Sequence, residues 1–193
     1  MHTIYTTEGF ILKSANFGEA NKYFFIFTRD FGLIKASAQG VRHLKSKLRY
    51  GLEDFSLAQI SVVRGREIWR LTSAEKKLII KNVDKLQILS RFFTLLLRLL
   101  HGEEKNDLLF SIIKEGMNFL TQDKVKLDSE TLASFECIMA LRILSSLGYI
   151  GKLADFDQFI SSPYFTPKLI TDMSTLKNKA ILEINKSLKE THL

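Results

Sequence analysis

The sequence is poor in the residues that build small chemical centres. It has one cysteine, Cys137, in 193 residues, which excludes an internal disulfide framework and any zinc site made of cysteines alone. The histidines, His2, His43, His101 and His192, are scattered, with no HExxH motif and no (i, i+4) pair. No Walker loop, no GxGxxG, no GxSxG elbow, no RNP motif and no C2H2 spacing occurs. Nothing therefore supports enzyme chemistry, and the chain reads as non-catalytic, with no metal and no cofactor. Long apolar runs are missing too. Arg91 and Arg98 interrupt the best candidate well short of the ~18 apolar residues of a membrane helix, so no membrane partner is expected. The start, MHTIYTTEGF, has neither the basic nor the apolar part of a secretory signal. A cytoplasmic chain is the expectation.

What is present is charge of one sign in one place. The chain holds 28 Lys/Arg against 21 Asp/Glu, a net charge of +7 and a pI near 9.4. Residues 1–77 carry thirteen of the bases and seven of the acids, a balance of +6; residues 78–193 carry fifteen and fourteen. A basic part joined to a neutral one predicts one polyanion-binding region and one with another task. A positive surface that only aids solubility is the alternative.

The basic part has the pattern of strands. Glu8–Ala15, Lys22–Arg29, Leu33–Ala38, Phe55–Val63 and Glu67–Thr72 are short runs rich in β-branched and aromatic residues. Six of the ten glycines fall in this region, mostly between the runs, where turns need them. Five strands with a long third connection match an OB-type barrel, whose closure removes exposed edges. An SH3-like barrel is the structural competitor. Of the run Tyr23–Phe27, either face is a candidate for the interior. Trp69 is expected in the core.

The long connection reads QGVRHLKSKLRYGL over residues 39–52. No acid occurs from Phe31 to Leu52, while Lys35, Arg42, Lys45, Lys47 and Arg49 are all basic. Cations without neighbours to neutralise them favour an anion, and a loop or short helix presents them to phosphates. His43 and Tyr50 are interleaved for stacking on bases. Arg64 and Arg66 add positive charge on the hairpin between the fourth and fifth runs. A solvated basic loop is the competing reading.

From Asn82 onward the period changes to that of helices. Lys85–His101 has a single polar stripe of Gln87, Arg91, Thr94 and Arg98; Asp107–Thr121 and Ser129–Leu147 follow, the latter with Gly148 as its stop. A short helix is expected within 153–160, loop around Pro163 and Pro167, and a last helix over Ser174–Glu190. The fold class is therefore α+β, with a five-stranded OB-fold barrel in residues 1–80 and an all-α domain in 81–193.

Several segments, in order, carry a family pattern. They are Gly9-Phe10-Ile11-Leu12-Lys13, Phe17-Gly18-Glu19-Ala20 and Phe27-Thr28-Arg29-Asp30-Phe31-Gly32-Leu33. Ala38-Gln39-Gly40-Val41-Arg42, Leu52-Glu53-Asp54-Phe55-Ser56-Leu57 and Arg64-Gly65-Arg66-Glu67 continue it, and Leu141-Arg142-Ile143-Leu144 before Leu147-Gly148-Tyr149 ends it. Over residues 8–150 the chain resembles RecO, the bacterial recombination mediator family. The resemblance implies an OB-fold followed by helices, binding of single- and double-stranded DNA, strand annealing in DNA repair, and help in loading RecA onto strands coated by single-strand-binding protein. It implies RecR and the C-terminal tail of single-strand-binding protein as partners, and a place on the nucleoid. Lys35, Arg42, Lys45, Lys47 and Arg49 lie in or beside matching segments and are its DNA contacts, with Arg64 and Arg66 after them. Many members carry a four-cysteine zinc module after the LGY segment. Residues 150–171 hold no cysteine, so a short form without zinc is expected. A protein–protein adaptor whose barrel takes an acidic partner is the alternative function.

Overall fold

Alternation along the first eighty residues folds as five strands: β1 (Ile4–Phe17), β2 (Asn21–Thr28), β3 (Gly32–Ala38), β4 (Ser56–Arg64) and β5 (Trp69–Ile79). A short helix, α1 (Lys47–Gly51), lies between β3 and β4. The computed structural model describes residues 3–122, 128–151 and 153–190. The sheet closes in the order β1-β2-β3-β5-β4, the OB arrangement. Neighbours are antiparallel except β3 and β5, whose parallel pairing rests on Ala36↔Trp69 and Ser37↔Arg70.

The inward face is now decided. Phe24 and Ile26 of β2 join Ile11, Ile34, Ala36, Ile60, Val62, Trp69 and Leu71 in the barrel core. Tyr23, Phe25 and Phe27 therefore point outward, since successive side chains alternate. Trp69 is in the core as expected, and its indole N–H donates to Glu103 Oε1 at 2.8 Å. Along β1 a register shift between Ile11 and Lys13 makes Leu12 an extra residue and sets Lys13 opposite Phe25, which turns the lysine to the outer face.

Several boundaries differ from the sequence pattern. β1 begins at Ile4 rather than Glu8, because Ile4–Phe10 pair with Leu57–Val63 of β4. β5 begins at Trp69 rather than Glu67 and runs on through a polar stretch to Ile79, held by β4 from Ser56. Phe55 lies just outside β4 at φ 65, a left-handed conformation that does not continue a strand.

The chain divides into two compact units, Met1–Asp107 and Leu108–Leu193. The first unit thus continues past residue 80 through helix α2 (Val83–Leu99). The reason is packing: Phe93 of α2 lies 6.2 Å from Phe10 of β1 and 6.0 Å from Phe55, ring centre to ring centre. The polar stripe Gln87, Arg91, Thr94 and Arg98 is exposed, while Ile88, Leu89, Phe92, Leu96 and Leu99 are buried.

The second unit contains α3 (Asp107–Thr121, of which it holds all but the first residue), α4 (Ser129–Ser146), a 3₁₀ turn (Ala154–Phe156), α5 (Asp157–Ile160) and α6 (Pro167–Glu190). Asp128 caps α4, its carboxylate accepting from the Thr131 N–H at 2.8 Å. Gly148, at φ 79, ends it. α6 starts seven residues before the expected Ser174, with Pro167 as its first residue. The reason is that a helix's first residue makes no use of its N–H, so proline is tolerated there. α4 is buried on most of its surface and carries Arg142, which is fully buried. Its guanidinium donates to the carbonyl oxygens of Phe159 (2.6 Å), Pro163 (2.8 Å) and Tyr164 (3.0 Å), and lies 4.3 Å from the centre of the Phe165 ring. Burial lowers its pKa to about 10, still charged at neutral pH. One side chain thus holds the end of α5 and the loop after it against α4. Replacing Arg142→Met keeps bulk but strands three carbonyls, each costing about 1–3 kcal/mol when unsatisfied. The urea midpoint of the helical circular-dichroism signal is expected to fall clearly; an unchanged midpoint contradicts this anchoring role.

Candidate nucleic-acid interface

The acid-free segment leaves β3 and is latched at once to the turn between β1 and β2. The Gly40 N–H donates to Asn21 Oδ1 at 2.8 Å and the Arg42 N–H to the Ala20 carbonyl at 3.0 Å. The Arg42 guanidinium donates to the Gly18 carbonyl at 3.2 Å. The chain then forms α1, whose Leu48 packs on the barrel core beside Val41 and Leu52. At Gly51 the helix passes so close to β5 that a Cβ would sit 2.2 Å from the Ala74 carbonyl oxygen. Only glycine fits that approach.

These contacts build a groove of about 330 Å³. Lys22, Arg42, Arg49 and Asn16 line it, together with Phe24, Val41 and Leu52 from the core. Its three cations come from β2, the loop and α1, and no acid lines it. The Lys22 ammonium donates to Ser14 Oγ at 3.3 Å, and Ser14 in turn donates to Asp54 at 3.1 Å. Three cations lining one cavity are complementary to a polyanion.

The other expected residues are distributed around this groove. His43, Lys45 and Lys47 are exposed on the loop and the start of α1. Lys35 is on the outer face of β3, its Nζ 4.6 Å from the centre of the Tyr23 ring. Arg64 lies elsewhere: it pairs with Glu103 at 3.1 Å and sits 5.2 Å over Trp69, so its charge is met within the protein. Arg66 is exposed in the connection after β4. Lys22 and Asn16 were missed by the sequence pattern. Only the strand register, which pairs Asn16 with Lys22, brings them to the loop; the run Lys22–Arg29 by itself marks only a strand.

In the helical unit a second groove, about 490 Å³, runs between α4 and α6. Ala133, Ala140, Ile181 and Ile184 make it apolar, with Glu136 and Lys177 also lining it. Cys137 lies in it, and burial raises the thiol's pKa. Among the described residues no cluster of three or more His, Cys, Asp or Glu is placed to hold a metal ion. No helix of the described residues is long and apolar enough to cross a membrane.

The family model described as Recombination protein O N terminal matches residues 1–80, the span of the closed five-stranded sheet. A DNA repair protein RecO from Alkaliphilus metalliredigens is 28% identical over 134 residues, covering 67% of this chain and 54% of the relative. Residues 1–80 thus carry the N-terminal domain of the RecO family. A second relative of that name, from Rubrobacter xylanophilus, is 31% identical over 131 residues, 58% of this chain and 53% of its own length. A third, from Gloeothece citriformis, is 40% identical over 75 residues, covering 39% of this chain and 26% of the relative. The chain thus spans about half the length of the first two RecO relatives. The groove lies within the part that the RecO family model matches.

Gly51 tests how the groove is built. Gly51→Ala forces a backbone shift where α1 meets β5, and overpacking of this kind costs about 1–3 kcal/mol. Fluorescence of Trp69, the chain's one tryptophan, reports unfolding of this unit, and its denaturation midpoint is expected to drop. An unchanged midpoint contradicts the close approach.

Proposed function

We propose that the protein is a non-catalytic DNA-binding mediator of recombinational repair. In this reading it anneals single strands and helps load RecA onto strands coated by single-strand-binding protein. The observation that carries the reading is the groove in which Lys22, Arg42 and Arg49 converge without an acid, in an N-terminal domain of the RecO family. Lys35, His43, Lys45 and Lys47 extend the positive surface along β3 and the loop, and Arg66 adds to it from the β4–β5 connection. Arg64 is the weakest of the expected contacts because Glu103 already engages it.

The division of labour follows from chemistry. Phosphate contacts by lysine and arginine are independent of base sequence, which suits a protein that handles any strand. The helical unit engages protein partners, RecR and the tail of single-strand-binding protein. The groove between α4 and α6 supports the latter, since its apolar walls match the apolar part of that tail. Its location is the cytoplasm, at the nucleoid.

The salt dependence of binding tests the reading. Neutralising about four to six phosphates on a single strand predicts a log K against log salt slope of about −3 to −4, at ~0.7 per contact. Fluorescence anisotropy with a labelled oligonucleotide measures it. Lys22→Glu and Arg49→Glu are each expected to weaken binding for every base sequence alike and to flatten the slope. No binding at low salt, together with tight binding of an acidic protein, would instead establish the adaptor function.

A further inference from the structure

The strands that frame the groove carry a second charged surface on their other side. Successive residues of a strand point to opposite faces. Asn16, Lys22 and Phe24 line the groove, so their neighbours Phe17, Tyr23 and Phe25 lie on the outer face of the same ribbon. The register sets that face out in two rows. Lys13, Phe25 and Lys35 stand opposite one another across β1, β2 and β3. Ala15, Tyr23, Ser37 and Arg70 do so across β1, β2, β3 and β5. Phe17 closes on the second row, its ring centre 4.5 Å from that of Tyr23. The Lys35 ammonium joins the rows, 4.6 Å from the centre of the Tyr23 ring and 6.0 Å from that of Phe25.

The chemistry of this face names its occupant. Its cations, Lys13, Lys35 and Arg70, are all exposed. Among the described residues none of the three makes an ion pair. No acid occurs in Gly9–Gly18, Asn21–Arg29, Phe31–Leu52 or Trp69–Ala74, the stretches that build it. Three such cations on one face attract a polyanion. The rings set among them offer π faces, with Phe17 half exposed. Unpaired bases stack on such rings, whereas bases within a duplex already have their faces covered. A polyanion with free planar rings is a single-stranded nucleic acid.

We propose that this outer face is a single-strand site separate from the groove, so that one barrel holds two strands at once. The β1–β2 ribbon stands between them. Lys22, Arg42 and Arg49 take phosphates on the groove side, and Lys13, Lys35 and Arg70 take those of the second strand on the outer face. A strand seated in the groove leaves the outer rings free. Cations on both sides offset the repulsion between two phosphate backbones brought to one small domain, which is what the pairing of complementary strands requires. The inference rests on the DNA-binding function proposed above and adds to it the number of strands held.

The test uses the full chain and two labelled forms of dT8, one with a donor dye and one with an acceptor, which cannot pair with each other. Stoichiometric titration followed by anisotropy is expected to give two strands per chain, and energy transfer between the dyes to place both on one molecule. The double variants Lys13→Glu/Lys35→Glu and Lys22→Glu/Arg49→Glu are each expected to keep one strand per chain and to lose the energy transfer, with Trp69 fluorescence checking that they are folded. In the second variant, adding Tyr23→Leu should weaken the remaining site about fivefold or more, since leucine has no π face. The wild-type stoichiometry needs no variant: one strand per chain overturns the inference, whichever substitutions then remove it. Energy transfer that persists in Lys13→Glu/Lys35→Glu also overturns it, because the two strands then lie in the grooves of two chains. So does Tyr23→Leu without effect. Each of those outcomes leaves the DNA-binding function standing. Failure of the wild-type chain to bind dT8 at all brings down that function itself.

Discussion

The first unit depends on one small contact, the parallel pairing of β3 with β5 through Ala36↔Trp69 and Ser37↔Arg70. Without it the sheet would be open, with β3 and β5 as unpaired edges. Because β5 takes the place beside β3, the chain leaving β3 cannot pair directly with β4. It must cross to the far edge, where β4 lies between β5 and β1. Residues 39–55 make that crossing, and they include the acid-free basic segment. The β2–β3 register, which pairs Lys22 with Ala38, sets the start of the crossing beside Lys22, and Arg42 and Arg49 follow along it to line the same groove. Val41, Leu48 and Leu52 anchor the crossing by packing on the core, and Gly51 sets how closely it lies on β5.

The same closure explains why one outer face serves two purposes. Phe10 and Phe27 on the outward side of β1 and β2 are fully buried, and Phe10 lies against Phe93 of α2. Further along the same strands Tyr23, Phe25 and Lys13 have no such cover. Alternation alone made them equivalent; the helix makes one half a packing surface, while Lys13 at the other half is exposed. In the helical unit Arg142 has a comparable organising place, giving the end of α5 and the loop after it three charge-assisted hydrogen bonds.

Local pattern revealed the type of nearly every element. The dense run around Phe24–Phe27 reads as strand because β-branched and aromatic residues fit a pleated, half-buried surface. The helix over Asp107–Thr121 was legible to the residue, since its apolar positions repeat at helical spacing. What was hidden depends on partners distant in sequence. Residues 73–79 are too polar to announce a strand and are extended because β4 pairs with them. The start of β1 is extended for the same reason. At the site, the loop cations were visible as an acid-free stretch. Lys22 was not, because its role comes from register, and the engagement of Arg64 by Glu103 joins residues 39 positions apart in sequence.

The β1–β2 turn and the β3–β4 crossing, joined by the bonds of Gly40 and Arg42 to Asn21, Gly18 and Ala20, form one composite surface. Amide hydrogen exchange of the full chain, with and without saturating single-stranded oligonucleotide, tests it most directly. New protection is expected in Asn16–Lys22 and Gly40–Leu52 together. Protection confined to α2 or to the helical unit, or to just one of the two segments, would contradict it.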